Sequence, residues 1–256
     1  MSEWLGLSLL TAATCGFVLL IALLRQRRRG GADDPSETPD VIEYMTMMLG
    51  VVYAIVLGLA IAGVWEARGE ADGFVHREAQ ALHEMDQRAA VFPAEVRDDI
   101  RGRIRDYVGY VVDEEWPRMV DEGELTDRGD ELLADLRAAV TAREPQTVRE
   151  VESYQGLIDQ AALVDEARAG RGDSAGSTLP GLVWLGLITG AAVVVGMVFF
   201  LQIQRSAREL ILAGLFSALI AFLLFLVWHF DAPYARGLSG ADEVFTSYFP
   251  PADPTG

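Results

Sequence analysis

The stretch VLGLAIAGVWEARGEADGFVHREAQAL, from Val56 to Leu82, begins as uninterrupted apolar sequence and ends as amphipathic sequence rich in charge. No proline interrupts it, and past Trp65 apolar residues recur at the spacing of one helix face. The pattern predicts one helix from Tyr44 to about Ala90, which leaves the lipid near Trp65 and continues into water. At 1.5 Å per residue this helix would be about 70 Å long.

Apolar residues are concentrated in four blocks of about 20 residues, the length needed to cross the hydrocarbon core of a bilayer. The chain has 256 residues and is 51% hydrophobic, yet no block has an acidic or basic residue in its interior. Each block is predicted to be a transmembrane helix: Trp4–Leu24, Tyr44–Trp65, Leu182–Ile203 and Leu210–Phe230. The predicted fold is therefore all-α, with a helical extramembrane domain inserted between the second and third membrane helices.

Five segments make up the predicted organisation of the chain. They are the first membrane helix with its arginine-rich loop (1–43), the second membrane helix (44–66), an acidic helical domain (67–178), membrane helices three and four (179–231) and a carboxy-terminal tail (232–256). Within the domain, apolar spacing predicts three further helices: one from Val96 that ends or kinks at Pro117, one over Leu132–Val140, and one from about Gln146. AGRGDSAGSTLPG, which follows, is predicted to be a flexible or turned link.

Arginines in two short links decide the predicted orientation, because cytoplasmic loops of membrane proteins are rich in basic residues. The links are RQRRRGG after the first block and QRSARE between the last two. If both are cytoplasmic, the two termini and the acidic domain lie outside the bacterial plasma membrane. Four tryptophans agree, because each lies at a block end assigned to the outer interface, where tryptophan is favoured: Trp4, Trp65, Trp184 and Trp228.

Composition and motifs argue against several classes of function. The net charge of −17 disfavours nucleic acid as a partner, and the single cysteine, Cys15, allows no intrachain disulfide. No phosphate-binding loop, nucleophile elbow or HExxH motif is present, so no enzyme and no cofactor are predicted. His76 and His83 would lie about 10 Å apart along a helix, too far to share one metal ion easily. The tripeptide Arg171-Gly172-Asp173 is attributed to chance.

Small residues recur every fourth position in three of the blocks, which lets another helix approach closely. The stripes are Gly50, Ala54, Gly58 and Ala62; Gly186 and Gly190; and Ala213, Ser217 and Ala221. They predict helix packing either within one four-helix bundle or between subunits of a homo-oligomer, and the sequence leaves both open.

Together these features resemble the bacterial bestrophin-like domain family, a group of four-span membrane proteins of unknown function, over about residues 50–237. The residues that carry the resemblance are Gly50, Tyr53, Ala54, Gly58, Trp65, Glu78, Glu114, Glu115, Trp116, Pro117, Asp231 and Pro233. The family label implies kinship with bestrophins, which are pentameric anion channels whose helical domain is cytosolic. The arginines here predict the opposite side for that domain.

Two functions are therefore expected. The first is an oligomeric ion-conducting pore distantly related to bestrophins; the alternative is a membrane-anchored binding, sensing or scaffold protein with an unidentified extracytoplasmic partner. No catalytic, cofactor-binding or metal-ligating residue is predicted. Trp116 is expected to pack in the domain core, while Glu114 and Glu115 stay polar or meet an arginine such as Arg105 or Arg118.

Overall fold

A computed structural model describes residues 40–142, 144–201, 207–238, 240 and 242–250 of the chain. The first predicted membrane block and the arginine-rich link after it lie outside these residues. Among the described residues the chain forms eight α-helices and no strand, which confirms the all-α prediction. The helices are α1 (Asp40–Arg88), α2 (Ala94–Tyr110), α3 (Trp116–Glu122), α4 (Asp127–Thr141), α5 (Val148–Asp173), α6 (Gly181–Leu201), α7 (Ala207–Asp231) and α8 (Glu243–Tyr248).

The chain divides into two compact units. Of the described residues, the membrane unit takes those up to Trp65 and those within Leu179–His229, and the polar unit takes those within Glu66–Thr178 and from Phe230 onward. Helix α1 contributes residues to both units, because the division falls at Trp65 in its middle. The segment predicted as a carboxy-terminal tail belongs to the polar unit, where the side chains of Tyr234 and Phe245 are buried.

Three helices of the described residues are long and apolar enough to cross a membrane, and they match the second, third and fourth predicted blocks. The spans are Tyr44–Val91, Gly181–Phe199 and Ile211–Asp231. Within the membrane unit, α1 buries Tyr53, Leu57 and Val64 on one face, whereas most of its other apolar side chains are exposed. Such an apolar exterior suits a lipid environment, and the chain is a membrane protein.

Helix α1 is one continuous helix of 49 residues, as the sequence predicts. Isolated glycines such as Gly69 and Gly73 each cost a helix about 1 kcal/mol relative to alanine. Burial of Ala71, Val75 and Ala79 against the polar unit offsets that cost, since these side chains are fully inaccessible to solvent. Tertiary packing thus stabilises the helix where intrinsic propensity is weakest.

Proline at Gly69 is expected to destabilise the protein by about 3 kcal/mol, because proline removes a helical hydrogen bond and clashes with the preceding turn. Gly69→Ala is the matched control: position 69 is exposed and a Cβ there meets no atom within 4 Å. The alanine variant should be as stable as the parent or more stable. Thermal unfolding of the purified protein in mild detergent measures both, and a silent proline would contradict a continuous helix.

The core of the polar unit is formed by apolar residues of α1, α2, α4 and α5. Their fully or nearly fully buried side chains include Val75, Leu82, Met85, Ile100, Ile104, Leu136, Leu157 and Val164. Burial of one such side chain contributes about 1.5–3 kcal/mol. Threonine side chains cap two of the helices, with Thr126 accepting from the Gly129 N–H before α4 and Thr147 accepting from the Glu150 N–H before α5.

Two details differ from the sequence predictions. The AGRGDSAGSTLPG segment is not all link, because α5 continues to Asp173. Its glycines are needed for close packing: a Cβ at Gly170 would collide with the Phe74 ring, and one at Gly172 would lie 2.8 Å from the Cδ1 of Leu125. The predicted end at Pro117 is not seen, because α2, a π-helical turn over Val111–Glu115 and α3 follow one another without a gap, and the helical run ends at Gly123, whose φ is 75°.

Candidate functional site

A buried ion-pair network lies inside the polar unit, and Arg171 is at its centre. The Nε of Arg171 donates to Glu78 Oε2 at 2.7 Å, and its Nη2 donates to Glu78 Oε1 at 3.1 Å. The same Nη2 donates to Glu115 Oε1 at 2.8 Å. All three side chains are fully buried, so one guanidinium joins two carboxylates from distant parts of the chain.

Arg168 extends the network towards the surface. It lies three residues before Arg171, so both side chains leave the same face of α5. Its Nη1 and Nη2 donate to the two oxygens of Glu115 at 2.6 and 2.8 Å, a bidentate pairing. Its Nε donates to Oδ1 of the exposed Asp130 at 2.8 Å, and its Nη2 also donates to the Thr126 carbonyl at 2.9 Å. Two buried carboxylates are thus balanced by two buried guanidinium groups.

Hydroxyl groups add one further hydrogen bond to each of the two buried carboxylates. Tyr107 donates to Glu78 Oε1 at 2.6 Å, and Thr126 donates to Glu115 Oε2 at 2.8 Å. Tyr110 in turn donates to the Thr126 hydroxyl at 3.0 Å. A buried charged group is tolerated only when such partners replace the water that it has lost.

The electrostatics favour the charged form of the network. Burial opposes ionisation of Glu115, but hydrogen bonds from Arg168 and the charges of both arginines outweigh it and lower the pKa of Glu115 to about 2. Burial likewise disfavours the cation of Arg171, but the Glu78 carboxylate holds the pKa of Arg171 above its ordinary value. Burial raises the pKa of Tyr107, so its hydroxyl stays protonated. The arrangement joins α1, the π-helical turn and α5 through charged hydrogen bonds.

Glu115 ends the π-helical turn and Trp116 begins α3, and both side chains are buried. Such a turn inserts an extra residue into the helical repeat and rotates the residues that follow. Trp116 is 6% exposed, its ring meets that of Tyr234 edge to face at 5.5 Å, and Arg171 Cζ lies 5.9 Å from its centre. The expected core position of Trp116 is confirmed, and Glu114 is exposed, as expected of a side chain that stays polar.

The segment after α7 completes the site. Tyr234 is buried within a second π-helical turn, Pro233–Gly237, and its hydroxyl donates to the carbonyl of Ala71 in α1 at 2.8 Å. Buried Asp231 accepts a hydrogen bond from the Ser177 hydroxyl at 2.6 Å, and its carbonyl accepts from the Thr178 N–H at 2.8 Å. Asp231 thereby joins the end of α7 to the loop that precedes α6.

Five of the candidate residues are buried within the polar unit: Glu78, Glu115, Trp116, Asp231 and Pro233. Pro117, at the second position of α3, is exposed. Glu115 does meet arginines, as expected, but they are Arg168 and Arg171 rather than Arg105, whose Nε donates to the Arg101 carbonyl. Helical spacing could have found the arginines, since Val164, Arg168 and Arg171 continue the buried face of α5.

The remaining candidates lie in the membrane unit on α1. Tyr53 is buried, and its hydroxyl donates to the Leu187 carbonyl of α6 at 3.0 Å. Gly50 is half-buried, and Ala54, Gly58 and Trp65 are exposed within the described part of the chain. In α7 the small-residue stripe does pack inside the unit, because Ser217 and Ala221 are buried.

The two histidines of α1 have separate surroundings. His76 is exposed beside Asp72, whereas His83 contacts the rings of Tyr248 and Phe249 at 5.2 and 6.1 Å. Among the described residues, no group of three or more histidine, cysteine, aspartate or glutamate side chains could hold a metal ion.

A surface cleft of about 610 Å³ lies beside the ion-pair network. Its lining includes Arg168 together with four acidic residues: Glu124, Asp130, Asp165 and Asp173. By formal charge the lining is net negative, although Asp130 pairs with Arg168 and Asp165 pairs with Arg137.

The described helices and this network define a helical membrane protein whose polar unit contains a buried network of ion pairs. The sequence matches the Bestrophin-like domain family over residues 12–239, so the chain belongs to this family. No curated protein matches the sequence.

Solved structures with a similar fold include bestrophin homologues. A crystal structure of a variant bacterial bestrophin homologue from Klebsiella pneumoniae has a TM-score of 0.64 at 12% identity, with coverage of 98% of this chain and 100% of that chain. A crystal structure described as a membrane protein has a TM-score of 0.64 at 13% identity, with the same coverage. A further Klebsiella pneumoniae variant has a TM-score of 0.60 at 13% identity and covers 94% of this chain and 96% of that one. At such low identity these similarities establish a shared fold alone.

Proposed function

We propose that the protein is a homo-oligomeric, ion-conducting pore of the bacterial plasma membrane. The observation that carries the proposal is the match of nearly the whole chain, 98%, to the fold of a bacterial bestrophin homologue. The kinship of this family with bestrophin channels supports the same function.

Helix α1 supports assembly through its small residues. Ala54, Gly58 and Ala62 are exposed within the described part of the chain, and a Cβ at Gly58 meets no atom within 4 Å. Lipid tails gain nothing special from a face of small residues, whereas another helix gains close backbone approach and dispersion contacts. We propose that a neighbouring subunit packs there.

Leucine at Gly58 is expected to dissociate the oligomer into folded monomers and to abolish conductance, because its side chain would hold the neighbouring helix away. Gly63→Leu is the matched control: Gly63 is also exposed and open, but it lies off the small-residue stripe. The measurements are oligomer mass in mild detergent and current across a planar bilayer. Wild-type protein that is monomeric and passes no current would eliminate the pore.

The proposed orientation places the polar unit outside the cytoplasm, as the arginine-rich links favour. In a Cys15→Ala background, cysteine at the exposed Asp127 should react with an impermeant thiol reagent on intact cells. Cysteine at Gly31, in the link predicted to be cytoplasmic, should react only after the cells are opened. The opposite labelling pattern would place the polar unit in the cytoplasm.

Ion preference follows from the charge of the polar unit, which has roughly two acidic residues for each arginine. An acidic domain beside a pore concentrates cations. We therefore expect any current to favour cations, in contrast to the anion channels with which the family is compared.

A second candidate is a membrane-anchored binding or sensing protein, and the acidic cleft beside Arg168 favours it. In this case the cleft would receive a cationic partner, and the membrane helices would serve only as an anchor. A monomer that conducts no ions but has a stable polar unit would support this candidate.

A further inference from the structure

We propose that Tyr53 is a positioning residue that sets the rotation of α1 about its own axis, and thereby decides which face of α1 meets a neighbouring subunit. The inference rests on the proposed oligomeric function for its consequence. The contact itself is inside the membrane unit, between α1 and α6.

The contact has a polar part and a steric part. The Tyr53 hydroxyl donates to the Leu187 carbonyl at 3.0 Å, and both residues are buried. The Tyr53 ring lies over Gly190, where a Cβ would come within 2.7 Å of Cδ2 and Cε2. Glycine at position 190 is therefore needed for the ring to reach α6, whereas a Cβ at Gly186 would meet no atom within 4 Å.

Apolar packing alone fixes the rotation of a membrane helix poorly. Lipid tails are as apolar as leucine, so exchanging one aliphatic contact for another changes the free energy little. The other buried side chains on this face of α1, Leu57 and Val64, are aliphatic. A tyrosine hydroxyl is different, because in lipid it loses a hydrogen bond when it turns away from its acceptor.

The geometry links this contact to the opposite surface of the helix. An α-helix turns by about 100° per residue, so a one-residue slip would put Ala54 where Tyr53 packs. The same slip would present Leu59 in place of Gly58 to whatever lies against the small-residue stripe. Tyr53 and Gly190 together thus keep the exposed small residues facing one way.

Nitroxide scanning of α1 over residues 54–63 in liposomes tests the proposal, with Cys15→Ala as the parent. Oxygen accessibility should oscillate with the helical repeat: low at buried Leu57 and at the small residues Gly58 and Ala62, where a subunit is proposed to pack, and high at Leu59. Gly190→Ala should shift the phase of this oscillation towards a one-residue slip, roughly 100°. Tyr53→Phe, which keeps the ring and loses only the hydroxyl, should shift the phase in the same direction by a smaller angle. An unchanged phase in both variants would overturn the proposal.

A double variant separates positioning from stability. Tyr53→Leu combined with Gly190→Ala removes the clash, so it should restore thermal stability lost in Gly190→Ala. It should not restore the phase, because the hydrogen bond and the ring-on-glycine fit are both absent. If the phase of the accessibility oscillation were restored, Tyr53 would be an ordinary packing residue, which would contradict the proposal.

Cross-linking of subunits through a cysteine at Gly58 or at Leu59 tests which face of α1 meets the neighbouring subunit. The parent should cross-link mainly through position 58, and Gly190→Ala mainly through position 59. If the phase shifts but neither position cross-links in any variant, the Tyr53 inference stands and the proposed oligomer fails. If subunits cross-link identically in all variants with no phase shift, the oligomer stands and the inference fails.

Discussion

Replacing Arg171 with methionine is expected to lower the free energy of unfolding by about 3–5 kcal/mol, because it leaves Glu78 and Glu115 buried without the cation they share. Methionine keeps most of the aliphatic volume, so the loss comes from the charge and its hydrogen bonds. Arg171→Lys should be intermediate, since an ammonium keeps the charge but cannot reproduce the planar donor geometry. Unfolding in denaturant, followed by tryptophan fluorescence in mild detergent, measures the three proteins.

Arg103→Met is the control for loss of an arginine as such. Arg103 pairs with Asp99 on the exposed face of α2, at 3.1 Å, and such surface pairs contribute about 0–1 kcal/mol. Equal effects at positions 103 and 171 would mean that the buried network adds nothing beyond an ordinary surface ion pair.

Alanine at Trp116 is expected to cost about 3–5 kcal/mol, as for other large aromatic side chains removed from a core. The indole contacts Tyr234, whose hydroxyl binds the backbone of α1, so its loss should also loosen the segment after α7. Thermal unfolding provides the measure, and hydrogen exchange over residues 231–238 reports the loosening.

Trp65→Ala is the matched tryptophan control, because Trp65 is 61% exposed within the described chain and should contribute little to the packing of the polar unit. A Trp116→Ala protein of unchanged stability that passes no current would contradict a structural role. Trp116 would then belong to a binding surface that acts directly on function.

Local features of the sequence were sufficient to predict these helices. The continuous α1 follows from the absence of proline and from apolar spacing past Trp65, and α4 follows from the spacing of Leu132, Leu133, Leu136 and Val140. These helices can be predicted because each buries one face, so that apolar residues recur at the helical spacing along a continuous segment of the chain. The three described membrane spans follow from length and composition in the same way.

Partners in the buried network were not predictable from local features. Arg171 lies 93 residues from Glu78, and its sequence neighbours, two glycines and an aspartate, suggested a turn. Only the packed structure shows that α5 stays helical up to Asp173 and that these glycines leave room for Phe74 and Leu125. The π-helical turn before Trp116 was not predicted from the sequence either. The local sequence gives no sign of such an inserted residue other than the proline that follows.

The sequence by itself determined that this protein is helical, crosses a membrane, and has a long helix that continues beyond the apolar core of its second block. Periodicity and block length carry that information because they depend on residues close together in the chain. Tertiary structure alone decided which charges meet, where Arg168 and Arg171 clamp Glu115, and how Tyr53 meets Gly190. The physical reason is that burial makes an ion pair or a close contact specific, and burial is a property of the assembled helices rather than of any one segment.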